Sequence, residues 1–119
     1  MKDNIIGLGS EIKLNLNIEP VGGYTMDDYD FVAEVYCKAK NSIVLTKDKT
    51  IRIDGNNYLL PVDTQDLGHG AIKVKVTAFI PDKDFVDGVR TEVVFIETGI
   101  EIIKQLWVAL MPILRLLKP

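Results

Sequence analysis

The side chains that could support catalysis are few in this sequence. His69 is the only histidine, and it lies between two glycines in Leu67-Gly68-His69-Gly70. A histidine base in a hydrolytic triad needs a nucleophile and an orienting acid beside it, and the spacing identifies no such set. A single histidine also excludes a multi-histidine metal site. We therefore predict that His69 is a solvent-facing loop residue and that the chain is not an enzyme, with no catalytic residues and no cofactor.

Two acidic loops resemble cation-binding segments in composition only. Asp82 and Asp84 alternate as calcium ligands do, but Val86 and Val93 stand where a calcium loop needs a third acid and a bidentate glutamate. Asp87-Gly88 instead predicts a tight hairpin turn. The other acidic cluster is interpreted as a solvated loop and comprises Asp27, Asp28 and Asp30. No metal ligands are predicted in either loop.

Nucleic-acid binding is not favoured by the charge balance. The chain has 14 Lys+Arg and 17 Asp+Glu, a formal net charge of −3, whereas phosphate recognition relies on clustered basic residues. Lys73, Lys75 and Arg90 would form a basic stripe if their strands were adjacent, with Phe79 and Tyr36 as stacking faces. Alternating lysines on the wet face of a sheet are the simpler interpretation, so we predict no nucleic-acid partner.

The compartment is indicated by the cysteine content and by the first residues. Cys37 is the single cysteine, which excludes an intramolecular disulfide, and we interpret it as a core residue. The start, MKDNIIGLGS, lacks the apolar run of a secretory signal. We therefore expect the product to stay in the cytoplasm in which it is made.

The elements that position these residues are strands. Ile12, Leu14, Leu16 and Ile18 alternate with polar residues, which is typical of a half-buried strand. The same analysis along the chain predicts about seven strands, at residues 11–19, 31–38, 42–46, 50–53, 58–62, 72–80 and 89–97. The last has apolar residues on both faces, from Val93 to Ile96, which is typical of a central strand.

Turn residues separate these strands. Asp54-Gly55-Asn56-Asn57 predicts a hairpin, and Thr64 to Gly68 predicts one capped helical turn at a corner. Pro61 cannot donate to a ladder, so its strand should lie at a sheet edge or end there. Short strands with Gly, Asn and Asp turns predict an all-β fold, an immunoglobulin-like antiparallel β-sandwich over residues 1–98.

A change of period after residue 98 predicts a C-terminal apolar helix, from about Gly99 to Leu117. Its apolar residues are spaced three and four apart, as on one side of a helix, and comprise Ile100, Ile103, Trp107, Leu110, Leu114 and Leu117. The other faces are apolar too, so such a helix must be buried against something. We therefore predict that residues 99–119 form an oligomerisation or anchoring tail, whose partner-binding residues are Ile103, Trp107, Leu110, Leu114 and Leu117.

Four segments in this order carry a family resemblance, and they are Asp28–Tyr36, Asp54–Tyr58, Val62–Gly70 and Ile80–Val93. Together they resemble small β-sandwich domains of bacteriophage and prophage virion proteins, of the kind found in head fibres, tail fibres and upper baseplates. The resemblance implies a structural, non-enzymatic virion protein that docks on other virion proteins, commonly as a symmetric oligomer. The chain differs from fibre proteins in having neither a shaft nor a receptor-binding tip, so we expect an attachment or adaptor module.

The predicted function is therefore attachment within a virion that is assembled in the host cytoplasm. The expected partners are other virion structural proteins and further copies of the chain, with a trimer favoured. Loops Tyr24 to Asp30 and Asp82 to Gly88 are candidate secondary contacts. Two alternatives remain open: a membrane-peripheral protein whose tail inserts into the lipid interface, and a stand-alone protein-binding accessory domain whose tail folds back over the sandwich. Membrane binding is the less favoured alternative.

Overall fold

The protein folds into two β-sheets that enclose one core. A computed structural model describes residues 4–38 and 41–104. Its strands are β1 (Ile5–Gly7), β2 (Glu11–Asn17), β3 (Asp30–Tyr36), β4 (Ser42–Thr46), β5 (Ile51–Arg52), β6 (Asn57–Asp63), β7 (Gly70–Pro81) and β8 (Val89–Ile103). The described part of the chain has no α-helix, only short 3-10 turns at Lys47–Lys49 and Thr64–Asp66. The predicted all-β class is confirmed.

Five strands form one sheet in the order β1-β8-β7-β3-β4, and three form the other in the order β2-β6-β5. Within each sheet the neighbours are antiparallel, except that β1 runs parallel to the end of β8. The core lies between the sheets, because alternate residues of β2, β3, β6 and β7 point inward. Its largest fully buried side chains include Tyr58, Phe31, Met26, Leu60 and Leu67.

The polar turns predicted from the sequence are present and have identifiable hydrogen bonds. The Asp54 carboxylate accepts hydrogen bonds from the backbone N–H groups of Asn56 and Asn57, each at 3.1 Å, which closes the β5–β6 hairpin. At the corner after β6, the Asp63 carboxylate accepts from the backbone N–H of Gln65 at 3.0 Å and caps the 3-10 turn. Both turns therefore confirm the sequence prediction.

Pro61 lies in the middle strand of the smaller sheet, but its position agrees with its chemistry. It is paired with Lys13 of β2 on one side. On the other side β5 pairs only with Tyr58 and Leu59, so β6 has no β5 partner at Pro61. The proline therefore lies where β6 is locally an edge, as its missing N–H requires.

The predicted start of the C-terminal helix is wrong, because residues 99–103 belong to β8. Gly99 adopts a positive φ of 79°, and Thr98 Oγ1 donates to the Ile72 carbonyl at 2.9 Å and accepts from the Ile100 N–H at 3.1 Å. These contacts make an irregularity in the β7–β8 ladder, after which the strand continues to Ile103. Gly99 therefore permits a β-bulge, whereas the change of period at this position predicts the start of a helix. Residues 105–119 of the predicted helix lie outside the described residues.

The expectation of a central strand at Val89 to Glu97 is also wrong. β1 pairs only with Glu101, Ile102 and Ile103 of β8. From Val89 to Thr98, β8 is hydrogen-bonded to β7 alone, so among the described residues this stretch is an edge. Its apolar residues on both faces are consequently exposed rather than buried, with Phe95 67% exposed.

Candidate partner-binding surfaces

His69 is exposed in the connection between the second 3-10 turn and β7, as the sequence predicts. In residues 4–38 and 41–104, no three His, Cys, Asp or Glu side chains are placed to hold a metal ion. Cys37 is buried, its Sγ lies 3.6 Å from the Gly70 carbonyl oxygen, and burial raises the pKa of its thiol. A buried thiol with a raised pKa is a core residue rather than a nucleophile.

The first acidic loop is held by hydrogen bonds within the chain. The Asp27 carboxylate accepts from Arg52 Nη1 at 2.8 Å, and this hydrogen bond lowers the pKa of Asp27 below its usual value. The Asp28 carboxylate accepts from the backbone N–H of Thr25 at 2.9 Å. Both carboxylates therefore organise the loop, which accounts for their presence without a cation.

The second acidic loop connects β7 and β8. The Asp82 carboxylate accepts from the Asp84 backbone N–H at 3.0 Å and from Arg90 Nε at 3.2 Å. Gly88 has a φ of 73° and donates its N–H to the Phe85 carbonyl at 2.9 Å, so it occupies the positive-φ turn position that Asp87-Gly88 predicts.

The structure places the first residue of one predicted contact loop, Tyr24, beside the other loop. Tyr24 and Val21 line a cleft of about 560 Å³ together with Asp82, Asp84 and Gly88. Apolar side chains are exposed around it, and Val86 is fully exposed. Exposed apolar groups gathered at one end of a domain are typical of a contact surface with another protein.

The predicted basic stripe is not assembled. Lys73 and Lys75 lie on the outer face of β7, since the alternate residues of that strand fill the core. Arg90 is opposite Ile80 in the ladder and therefore lies on the other face, where Nη1 bonds Glu92 at 3.1 Å. Because the three cations are divided between two faces, the described residues do not form the basic track considered from the sequence.

A cavity of about 750 Å³ lies beside Pro61, where β5 no longer covers β6. Its ionisable groups are Glu11, Lys13, Asp63 and Asp66. Asp63 is already used as the cap of the 3-10 turn. No nucleophile and base are paired in this cavity, so it suggests no reaction.

The predicted partner-binding residues lie mainly beyond the described part of the chain. Ile103 is the last residue of β8, is half-buried, and accepts the backbone N–H of Leu8 at 3.0 Å. The structure thereby gives it a strand position next to β1. Trp107, Leu110, Leu114 and Leu117 fall outside the described residues.

Sequence analysis missed the edge of β8. Val93, Val94 and Phe95 are 46%, 47% and 67% exposed, and they are consecutive in a stretch of β8 that is paired with β7 alone among the described residues. The available signal was the absence of lysine, proline and glycine from Thr91 to Thr98, which are residues that usually protect a strand edge. That signal identifies an edge only when the neighbouring strands are known.

Comparison with known proteins does not assign this chain to a family. A scan against protein-family models, a search of curated proteins and a search of solved structures each found no match to this chain. Within residues 4–38 and 41–104, no helix has both the length and the apolar character needed to cross a membrane.

Proposed function

We propose that this chain is a non-enzymatic structural adaptor of a bacteriophage particle, an immunoglobulin-like β-sandwich with a helical C-terminal tail. The tail attaches the domain to neighbouring virion proteins or to further copies of the chain, with a trimer favoured. The place of assembly is the host cytoplasm, and the place of action is the virion. The resemblance of four sequence segments to phage virion domains supports the phage assignment.

The strand order supports the immunoglobulin-like arrangement. Such domains have a C-F-G sheet, extended by C′, packed on a sheet that contains B, E and D. Assigning β2 to β8 in chain order as B, C, C′, D, E, F and G gives the observed sheets, with β1 added beside G. The parallel pairing of β1 with β8 holds the two chain ends of the domain together.

One observation favours an adaptor above other structural functions: the two candidate contact segments are joined to opposite ends of β8. The loop from Asp82 to Gly88 precedes its first residue, Val89, and the apolar tail follows shortly after its last residue, Ile103. A strand of 15 residues separates its ends by about 45 Å. A rigid sheet of this length would hold one partner at the loops and another at the tail.

Substitution in the tail of the full-length chain tests this proposal. Leu110→Glu with Leu114→Glu places charges on the predicted apolar seam and should lower the mass of the oligomer, measured by light scattering. Ile53→Glu is the matched control, because Ile53 is 52% exposed in the β5–β6 hairpin and lies away from the tail. The control should keep the mass of the unmodified chain.

The virion assignment is tested separately. Mass spectrometry of purified particles should detect the chain at a fixed copy number, and the doubly substituted chain should be lost from them. A chain that is absent from particles, or whose oligomeric mass is unchanged by the tail substitutions, would contradict the proposal. Flotation of the monomer with lipid vesicles would favour the membrane-peripheral alternative instead.

A further inference from the structure

The unpaired edge of β8 is the surface feature that the proposed tail attachment does not use. From Val89 to Thr98, its outward backbone groups have no strand partner among the described residues. Val93 and Phe95 lie on the outer face with Thr77 and Lys75 opposite them in β7. Val94 lies on the inner face, opposite Val76. Since apolar side chains are exposed on both faces, an added strand would bury them on both.

The other edges are less suited to pairing. β2, the edge of the smaller sheet on the same side, alternates polar outer residues, Lys13, Asn15 and Asn17, which discourage association. β4, the opposite edge of the larger sheet, has only five residues, and β5 has two. The β8 edge is longer and contains neither lysine, proline nor glycine from Thr91 to Thr98. It is thus the longest unpaired edge among the described residues.

The charges at this edge are balanced within the chain. Arg90 bonds both Asp82, at 3.2 Å, and Glu92, at 3.1 Å. Glu97 lies opposite Lys73 in the β7–β8 ladder, on the same face. The partner strand therefore needs no excess of either charge.

We propose that the β8 edge pairs with the same edge of a second copy of this chain, antiparallel and about a two-fold axis perpendicular to the sheet. Rotation about such an axis keeps the inner and outer faces of the sheet on the same sides. Even-numbered residues of one copy therefore lie opposite even-numbered residues of the other, and odd-numbered opposite odd-numbered. Centring the pair on Val94 places Val93 of each copy opposite Phe95 of the other. β-branched and aromatic residues make favourable cross-strand pairs.

The neighbouring pairs in this register are also compatible. Glu92 lies opposite Ile96, Thr91 opposite Glu97, and Arg90 opposite Thr98, so no like charges face each other. A register centred on Glu92 would oppose two carboxylates and is disfavoured. The ladder ends at Thr98, three residues before β1 begins to pair at Glu101. It therefore fits into the open stretch without displacing β1.

On its inner face, the β8 edge borders an opening to the core that a second copy would cover. Val94 and Ile96 line a cavity of about 240 Å³ between β8 and β2, together with Leu16, Ile18 and Val76. Here the two sheets diverge at their open side and leave the core accessible. A second Val94 placed opposite the first would close this opening and remove apolar surface from water.

The chain's own tail is a poorer occupant than a second copy. The tail leaves β8 beyond Ile103, where β1 already occupies the edge at Glu101, Ile102 and Ile103. To reach the open stretch it would have to turn back across β1 and run past several residues of β8. Extended, the tail is long enough to reach Val94, but the part that would lie beside residues 91–98 includes Pro112, which cannot donate to a ladder.

Disulfide trapping of the full-length chain tests the pairing. Directly opposed residues of an antiparallel pair have Cα atoms about 4.5–5.5 Å apart, which is within the range that a disulfide bridges. In a Cys37→Ser background, Val94→Cys should form a covalent dimer at least about tenfold faster than Val86→Cys at the same concentration. Val86 is the control because it is fully exposed in the turn before β8.

A charge substitution gives the second measurement. Val94→Lys should raise the dissociation constant of the β8 dimer by at least tenfold, measured by sedimentation of the full-length chain carrying Leu110→Glu and Leu114→Glu. Val44→Lys is the matched control, since Val44 is 58% exposed on the edge strand β4, and it should leave the constant unchanged. Thermal unfolding of both variants shows whether they remain folded.

Three results would overturn the proposal. The first is equal trapping of Val94→Cys and Val86→Cys, and the second is an equal effect of the two lysine substitutions. The third is a monomer in which the β8 amides that point away from β7 are protected from hydrogen exchange at every concentration, which would assign the edge to the chain's own tail. The tail variant Leu110→Glu with Leu114→Glu should still be trapped through Val94→Cys, so this proposal and the tail attachment fail independently.

Discussion

Thr64, in the corner after β6, is hydrogen-bonded to Ser10, which lies 54 residues earlier in the chain. Thr64 Oγ1 donates to the Ser10 carbonyl at 2.8 Å, and its backbone N–H donates to the same carbonyl at 3.0 Å. The hydroxyl also accepts the backbone N–H of Gly9 at 2.9 Å. Thr64 is the buried polar residue of the described core, so one side chain links the β1–β2 connection to the corner after β6.

Replacing Thr64 with valine should therefore destabilise the fold although the shape is retained. The substitution leaves the Gly9 N–H without its partner in a partly buried site, which should lower the free energy of unfolding by about 2 kcal/mol. Urea denaturation measures the change. Thr64→Ser keeps the hydroxyl and should lose less of the free energy of unfolding. Equal losses of stability for the valine and serine variants would contradict a role for the hydrogen bonds.

Lys47 should stabilise the loop between β2 and β3. Its Nζ lies 2.6 Å from both the Met26 and the Tyr29 carbonyl oxygens, although it belongs to the turn after β4. Lys47→Met keeps the length of the side chain and removes both bonds, which should cost about 1 kcal/mol of stability and increase amide exchange in residues 21–29. Lys49→Met, at an exposed position of the same turn, is the control and should change neither quantity.

The two buried tyrosines should respond oppositely to removal of their hydroxyls. Tyr58 is 1% exposed and its hydroxyl has no hydrogen-bond partner among the described residues. Tyr58→Phe removes an unsatisfied buried group and should raise the free energy of unfolding by about 1 kcal/mol. The Tyr29 hydroxyl accepts a hydrogen bond from the Val21 N–H at 3.1 Å, so Tyr29→Phe should lower the free energy of unfolding by about 1 kcal/mol. Denaturation of both variants tests the contrast, which fails if the two changes have the same sign.

Asp54 should contribute to acid sensitivity. Hydrogen bonds from the Asn57 side chain, and then from the backbone N–H groups of Asn56 and Asn57, lower the pKa of Asp54 below its usual value of 3.8. Because the folded pKa is depressed, the contribution is present above the unfolded pKa and is lost as the pH falls through the folded pKa. Stability should therefore decrease on acidification from about pH 5 to below pH 3.8.

The variant Asp54→Asn assigns part of that decrease to this carboxylate. It should flatten the dependence of the urea midpoint on pH in the acidic range, since a neutral amide cannot titrate there. Asp84→Asn serves as the control in another exposed turn. An unchanged acidic slope in Asp54→Asn would contradict the assignment.

Local patterns predicted the strands well where one face is buried. The alternation that begins at Ile12 predicted β2, and the same pattern from Ile72 to Ile80 predicted β7, because burial of one face imposes a period of two. β1 was missed, since three residues carry too little pattern and its partner is almost 100 residues away. The helix expected from Gly99 was wrong at its start for a related reason: an apolar residue on each face is compatible with both a bulged strand and a helix.

The sequence by itself determined the all-β class and the positions of the turns, because alternation and turn chemistry are local properties of the chain. Only the tertiary structure decided that the stretch from Val89 to Thr98 has one neighbour among the described residues, that Arg90 is separated from Lys73 and Lys75, and that Tyr24 shares a cleft with Asp82 and Gly88. Those relationships depend on which distant strands are hydrogen-bonded to one another. Composition shows that a strand is apolar on both faces, but only the packing shows whether a second strand covers it.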